Sequence, residues 1–96
     1  MKVLIIDGQG GGLGRQLVSA VKEKCPETEV LAVGTNSTAT GAMLRAGADQ
    51  AATGENAVLV ACRKADVIIG PVGIVIADSM LGEITPAMAV AVGQSR

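Results

Sequence analysis

The chain predicts an α/β fold, a three-layer sandwich built on a small parallel sheet, and three observations predict it. Short apolar runs alternate with helix-period segments along all 96 residues. The runs are apolar at consecutive positions, as strands covered on both faces must be. A glycine-rich stretch joins the first run directly to the first helical pattern, the arrangement of a βα turn that leaves helix-start amides uncovered. Right-handed crossovers between parallel strands make 3-2-1-4 the expected strand order.

The elements follow in sequence. Residues 2–6 read as the first strand, centred on Val3-Leu4-Ile5-Ile6. Leu13, Leu17, Val18 and Val21 recur at helical spacing, giving a helix from Gly12 to Lys24 that stops before Cys25-Pro26 because proline bars its predecessor from helical geometry. Glu29 to Val33 is the second strand, and it ends at Gly34-Thr35-Asn36-Ser37, a turn whose side chains can cap the next helix. That helix carries Ala39, Ala42, Met43 and Leu44 and ends at Gly47. A third strand between Ala48 and Thr53 is expected from position alone, and a third helix spans Glu55 to Lys64. Asp66 to Gly70 reads as the fourth strand, and Ile74 to Ala77 suits a strand or the start of a short helix. Thr85-Pro86 is a helix start, and the last helix covers Pro86 to Val92.

Residues 1–96 are therefore expected to form one domain. The last helix has no strand after it to cover the edge beside Asp66–Gly70, so either another chain covers that edge or a strand and helix are missing at the C-terminus. The small core and that open edge together suggest a homodimer. Aromatic residues are absent and the formal charge is −1, so neither a base-stacking platform nor a basic stripe exists and nucleic acid is not an expected partner. No apolar run reaches the ~20 residues needed to cross a bilayer, no signal peptide is evident, and Cys25 and Cys62 form no CxxC pattern. A cytoplasmic protein with reduced cysteines is the expectation.

The glycine run Gly8-Gln9-Gly10-Gly11-Gly12-Leu13-Gly14 is where chemistry is expected. Its spacing is neither G-x-G-x-x-G nor the P-loop, and no Gly-Lys-Ser/Thr follows. Gly8 would turn the chain off the strand, Gly10, Gly11 and Gly12 would adopt left-handed or close-approach conformations, and Gly14 would let the helix pack tightly against the sheet. Asp7 stands beside the expected phosphate and admits three roles. It could cap loop amides, bind a divalent ion bridging to phosphate, or meet a ribose hydroxyl. The second strand ends in Gly34, Thr35, Asn36 and Ser37 rather than the acid that holds the ribose diol of NAD, which weakens an NAD preference. Arg15 could reach phosphates from the first helical turn. Gly70-Pro71-Val72-Gly73 would line the far side of the crevice, with Asp78, Ser79, Glu83 and Thr85 as the polar residues able to reach it.

Machinery for catalysis is sparse. The chain has no histidine and no tyrosine, so neither a histidine-activated nucleophile nor a tyrosine-lysine proton relay is available within it. Asp78 and Glu83 could form an acid/base or metal pair, although a helix cap and a solvated charge are the plainer roles. Cys62 reads as core.

The segment Ile5-Ile6-Asp7-Gly8-Gln9-Gly10-Gly11-Gly12-Leu13-Gly14-Arg15 resembles the opening of the Rossmann domains of short-chain dehydrogenase/reductases. Asp7 stands where that superfamily often has threonine. Over the whole chain, Val33 to Ser37, Ala46 to Asp49, Thr53 to Ala57, Ile69 to Pro71 and Ile76 to Met88 are similar to DUF3842, a bacterial family of clostridia and related Firmicutes without an assigned activity. The resemblance implies a Rossmann-like cytoplasmic protein that binds NAD, NADP, phosphate or another nucleotide, in a family whose members continue further. The expected function is NAD(P) or nucleotide binding. The alternatives are a hydride-transferring oxidoreductase and a non-catalytic phosphate-binding regulatory or interaction module.

Overall fold

A computed structural model describes residues 1–70; Pro71 to Gly73, the ambiguous segment from Ile74, the polar set Asp78, Ser79, Glu83 and Thr85, and the last helix lie outside the described residues. The elements are β1 (Lys2–Asp7), α1 (Gly12–Lys24), β2 (Glu29–Gly34), α2 (Ser37–Arg45), β3 (Gln50–Thr53), α3 (Glu55–Lys64) and β4 (Val67–Ile69). All strand pairs are parallel, and the sheet order is β3-β2-β1-β4, as the crossover argument requires.

Alternation along β1 and β2 divides the core in two. Leu4, Ile6, Leu31 and Val33 face α3, where Val58, Ala61 and Cys62 close on them. Val3, Ile5, Val30 and Ala32 face α1 and α2 and meet Val18, Met43 and Ala48. Leu4 and Ile5, adjacent in sequence, are both fully buried, which explains the unbroken apolar run. Cys62 is buried in this core, and neither it nor Cys25 is in a disulfide.

Three expectations need adjusting. Leu13 lies on the helical spacing of Leu17 and Val18 but is 45% exposed, because in the first turn of α1 it is Gly14, one turn before Val18, that faces inward. Of the three glycines expected in left-handed or close-approach geometry, only Gly11 has a positive φ, 74°. The other left-handed residue of the loop is Gln9, at φ 50°. β4 is shorter than expected, since Asp66 and Gly70 flank the ladder rather than join it.

At the amino end of the sheet, the Asp49 carboxylate accepts bonds from the Val30 amide at 2.8 Å and from Lys22 Nζ at 2.9 Å. Lys22 also donates to the Thr28 carbonyl at 3.1 Å, so the three groups tie the end of α1 to β2 and the approach to β3. The Val30 amide, with Lys22 second, holds the Asp49 carboxyl below the ordinary carboxylate range. A depressed pKa stabilises the fold above the unfolded-state value of about 4, and that contribution disappears as pH falls through the folded-state value. Urea unfolding of wild type and Asp49→Asn should accordingly differ at neutral pH and converge below about pH 4. A gap that persists in acid would show that the carboxylate charge is not the source.

Candidate functional site

The carboxyl ends of β1, β2 and β3 lie side by side, and each leads into a helix start. Asp7 is the last residue of β1, and the two-residue period puts its side chain on the same face as Val3 and Ile5, beneath the start of α1. It is 4% exposed. Its Oδ1 accepts from the Gly8 amide at 2.8 Å and its Oδ2 from the Gly14 amide at 2.6 Å. Of the three roles open to Asp7, the geometry shows the first: it caps loop and helix amides. Gly11, the residue before α1, has no side chain with which to cap, and a carboxylate from the preceding strand does so instead.

The glycines divide by what a Cβ would meet. At Gly14 it would lie 2.6 Å from Met43 Sδ and 2.8 Å from Asp7 Cβ. At Gly11 it would lie 2.8 Å from Ala39 Cα. Both positions are closed by packing against α2 or β1. Around Gly10 and Gly12 nothing comes within 4 Å, and neither has a positive φ. Fold geometry requires no glycine there. Both are exposed, as is Leu13. The Gly11 amide donates to the Gly8 carbonyl at 3.0 Å, closing the turn. The amides of Gly10, Gly12 and Leu13 have no partner among the described residues. They lie at the positive end of α1.

The neighbouring strand end is built differently. Gly34 is buried at the end of β2 under Thr40, whose hydroxyl donates to the Asn36 carbonyl at 3.0 Å and lies 2.7 Å from Thr53 Oγ1. No side chain fits at Gly34, so the position where an acid would grip a ribose is occupied by packing. Asn36 caps α2, its Oδ1 accepting from the Ala39 amide at 2.8 Å. Its Nδ2 donates to the Gln9 carbonyl at 2.9 Å. The Asn36–Gln9 bond and the Gly11–Ala39 contact therefore bridge the first loop to the start of α2. Thr35 is half-buried and its amide donates to the Asp7 carbonyl at 3.0 Å, while Ser37 is exposed on the first turn.

Gly8 to Gly14 and Gly34 to Ser37 thus come together at one end of the sheet. Arg15 is exposed on α1, and Gly70 follows β4 across the switch point between β1 and β4. Two parts of the site had no sequence motif: the left-handed Gln9 and its bond to Asn36, and the Thr40–Thr53 pair. Among the described residues no group of His, Cys, Asp and Glu could hold a metal ion, and no helix is long and apolar enough to cross a membrane.

Fold and site define an α/β protein with a parallel sheet of order 3-2-1-4 and an open glycine loop at its first strand end. The family model for DUF3842, a domain of unknown function, matches residues 2–96, and the chain belongs to that family. No curated protein and no solved structure matches it.

Proposed function

We propose that the protein binds the phosphate of a nucleotide at the amides of Gly10, Gly12 and Leu13, with NAD and NADP among the candidate ligands. The observation that supports this reading is the pair Gly10 and Gly12. Each glycine in an ordered loop costs conformational entropy, and neither packing nor backbone angle accounts for these two. Leaving the approach to the helix-start amides free of side chains does account for them. Exposed Arg15 on the first turn adds positive charge on the same side. A cytoplasmic location fits two cysteines that form no disulfide.

The bridge between Asn36 and Gln9 favours a second, narrower reading. A dinucleotide lying over β1 and β2 requires the groove between Gly8–Gly14 and Gly34–Ser37 to be open, and this bond crosses it. A ligand carrying one compact phosphate group needs only the start of α1. Hydride transfer would need an acid or base, and the candidates Asp78 and Glu83 lie outside the described residues.

Calorimetric titration with NAD, NADP, ATP and inorganic phosphate tests both readings. Preference for NAD or NADP supports the dinucleotide, comparable binding of ATP and phosphate supports the compact site, and no binding at millimolar ligand refutes both. Gly12→Val separates site from scaffold. The added side chain enters open space, so stability should change by less than about 1 kcal/mol, whereas affinity should fall about tenfold or more as the approach closes. Unchanged affinity would remove Gly12 from the site.

A further inference from the structure

α3 closes on Leu4 and Ile6 of β1 and on Leu31 and Val33 of β2, but on β3 the side chains of Gln50 and Ala52 remain exposed. Between α3 and β3 runs an open groove of about 210 Å³, bounded by Leu31, Val33, Ala52, Ala57 and Val60. It lies on the face of the sheet opposite α1 and stands apart from the glycine loop.

The two ends of the groove differ. α3 runs back along the strands, so its last residue, Lys64, and the first residue of β3, Gln50, both lie at the amino end of the sheet. Both line the groove, the rest of its lining is apolar, and no acidic residue contributes to it among the described residues. Lys64 makes no ion pair among the described residues. The acids nearest in sequence are engaged elsewhere, Asp49 by Lys22 and the Val30 amide, Asp66 by the Lys2 amide at 2.7 Å. The end of α3 places about half a negative charge here, which the full charges of Arg63 and Lys64 exceed.

We propose that this groove binds a medium-chain aliphatic carboxylate, with its chain along Ala52, Ala57 and Val60 and its head group at Lys64 and Gln50. An apolar lining with polar groups at one end calls for a hydrocarbon with one polar terminus. From Ala57 to Lys64 the groove follows α3 for about 10 Å, the reach of a short chain rather than of a full lipid tail. Lys64 supplies one positive charge and Gln50 a neutral N–H donor, which together match a carboxylate and leave a phosphate dianion under-compensated. A peptide lying in the groove would set main-chain polar groups against apolar side chains without partners.

Calorimetric titration of the full chain with butanoate, hexanoate and octanoate at neutral pH tests this, with octanol and octylamine as controls. Affinity should rise with chain length by up to about fourfold per methylene. Octanol should bind about tenfold more weakly than octanoate, and octylamine more weakly still. Lys64→Gln should cost octanoate about tenfold and leave octanol unchanged. Ala52→Leu fills the groove from an exposed position and should abolish binding, with thermal melting as the control for folding. Should Ala52→Leu fail to fold, Lys64→Gln decides, since Lys64 is exposed at the end of its helix. No octanoate binding at millimolar concentration, octanol or octylamine binding as tightly as octanoate, or a folded Lys64→Gln that binds octanoate like wild type overturns the proposal. So does a wild-type dimer in sedimentation equilibrium that Ala52→Leu dissociates, which would assign the groove to a second copy.

Discussion

Gly34→Ala is expected to lower stability by about 3 kcal/mol, and with it Tm by about 10 °C or more, without touching a ligand. The new Cβ would lie 2.5 Å from the Thr40 amide and 2.8 Å from the Asn36 carbonyl, and would also strike the Thr40 hydroxyl. Those two main-chain groups form the first hydrogen bond of α2, at 3.1 Å, so the intruding carbon wedges into the helix start. Relief by movement of β2 is blocked from both sides, because Gly34 is in register with Asp7 of β1 and Thr53 of β3. Adding Thr40→Ala should restore less than half of the loss, since it removes the hydroxyl contact and leaves the main-chain contacts. A urea midpoint for Gly34→Ala close to wild type would mean that the strand end yields, contrary to this packing argument.

Most of the architecture was legible because the cues are local. Val3 to Ile6 and Val30 to Val33 are apolar at every position, which only a strand covered on both faces demands. Gly12 and the Cys25-Pro26 pair bound α1, and the handedness of crossovers does the rest. β3 was expected only from position, for a physical reason: Gln50-Ala51-Ala52-Thr53 has little strand propensity of its own. The parallel ladder to β2 and the Thr40 hydroxyl from α2 hold it in place.

The glycine loop was legible as a loop but not as a division of labour. Spacing says nothing of what a Cβ would meet, so Gly11 and Gly14, closed by packing, look the same in sequence as Gly10 and Gly12, which are open. Leu13 misleads for a related reason, since helical periodicity records which residues share a face and not how far that face overlaps the core. The bond from Asn36 to Gln9 joins two polar residues distant in sequence and leaves no trace in it. Asp7 was nearer to being readable. It continues the Val3, Ile5 alternation, and a carboxylate on that face at the strand's end can only lie beneath the start of α1.

Replacing Asp7 should move stability and phosphate binding in opposite directions. Its two oxygens each accept one amide, from Gly8 and from Gly14, in a position 4% exposed. Asn keeps the shape but turns one acceptor into a donor, so one amide would face an N–H in a buried site. Ala leaves both amides unpaired beside a small void. Either change should cost about 2–4 kcal/mol, the loss of a charged cap together with a buried donor left unsatisfied. Because a Cβ at Gly14 would also lie 3.0 Å from Asp7 Oδ2, which Asp7→Ala removes, Gly14→Ala and Asp7→Ala should not add, and the double variant should be less destabilised than the sum. The same carboxylate opposes any anion arriving at Gly12 and Leu13. Removing one negative charge from the base of the loop should therefore strengthen phosphate binding by about 1 kcal/mol per folded molecule, at low salt where screening is weakest. Asp7→Asn titrated with phosphate well below its melting temperature separates the possibilities. Tighter binding by a less stable protein identifies Asp7 as a cap that holds the cradle open at an electrostatic cost. Weaker binding would mean that the loop loses its shape without the carboxylate, and that the exposed amides depend on Asp7 for their alignment.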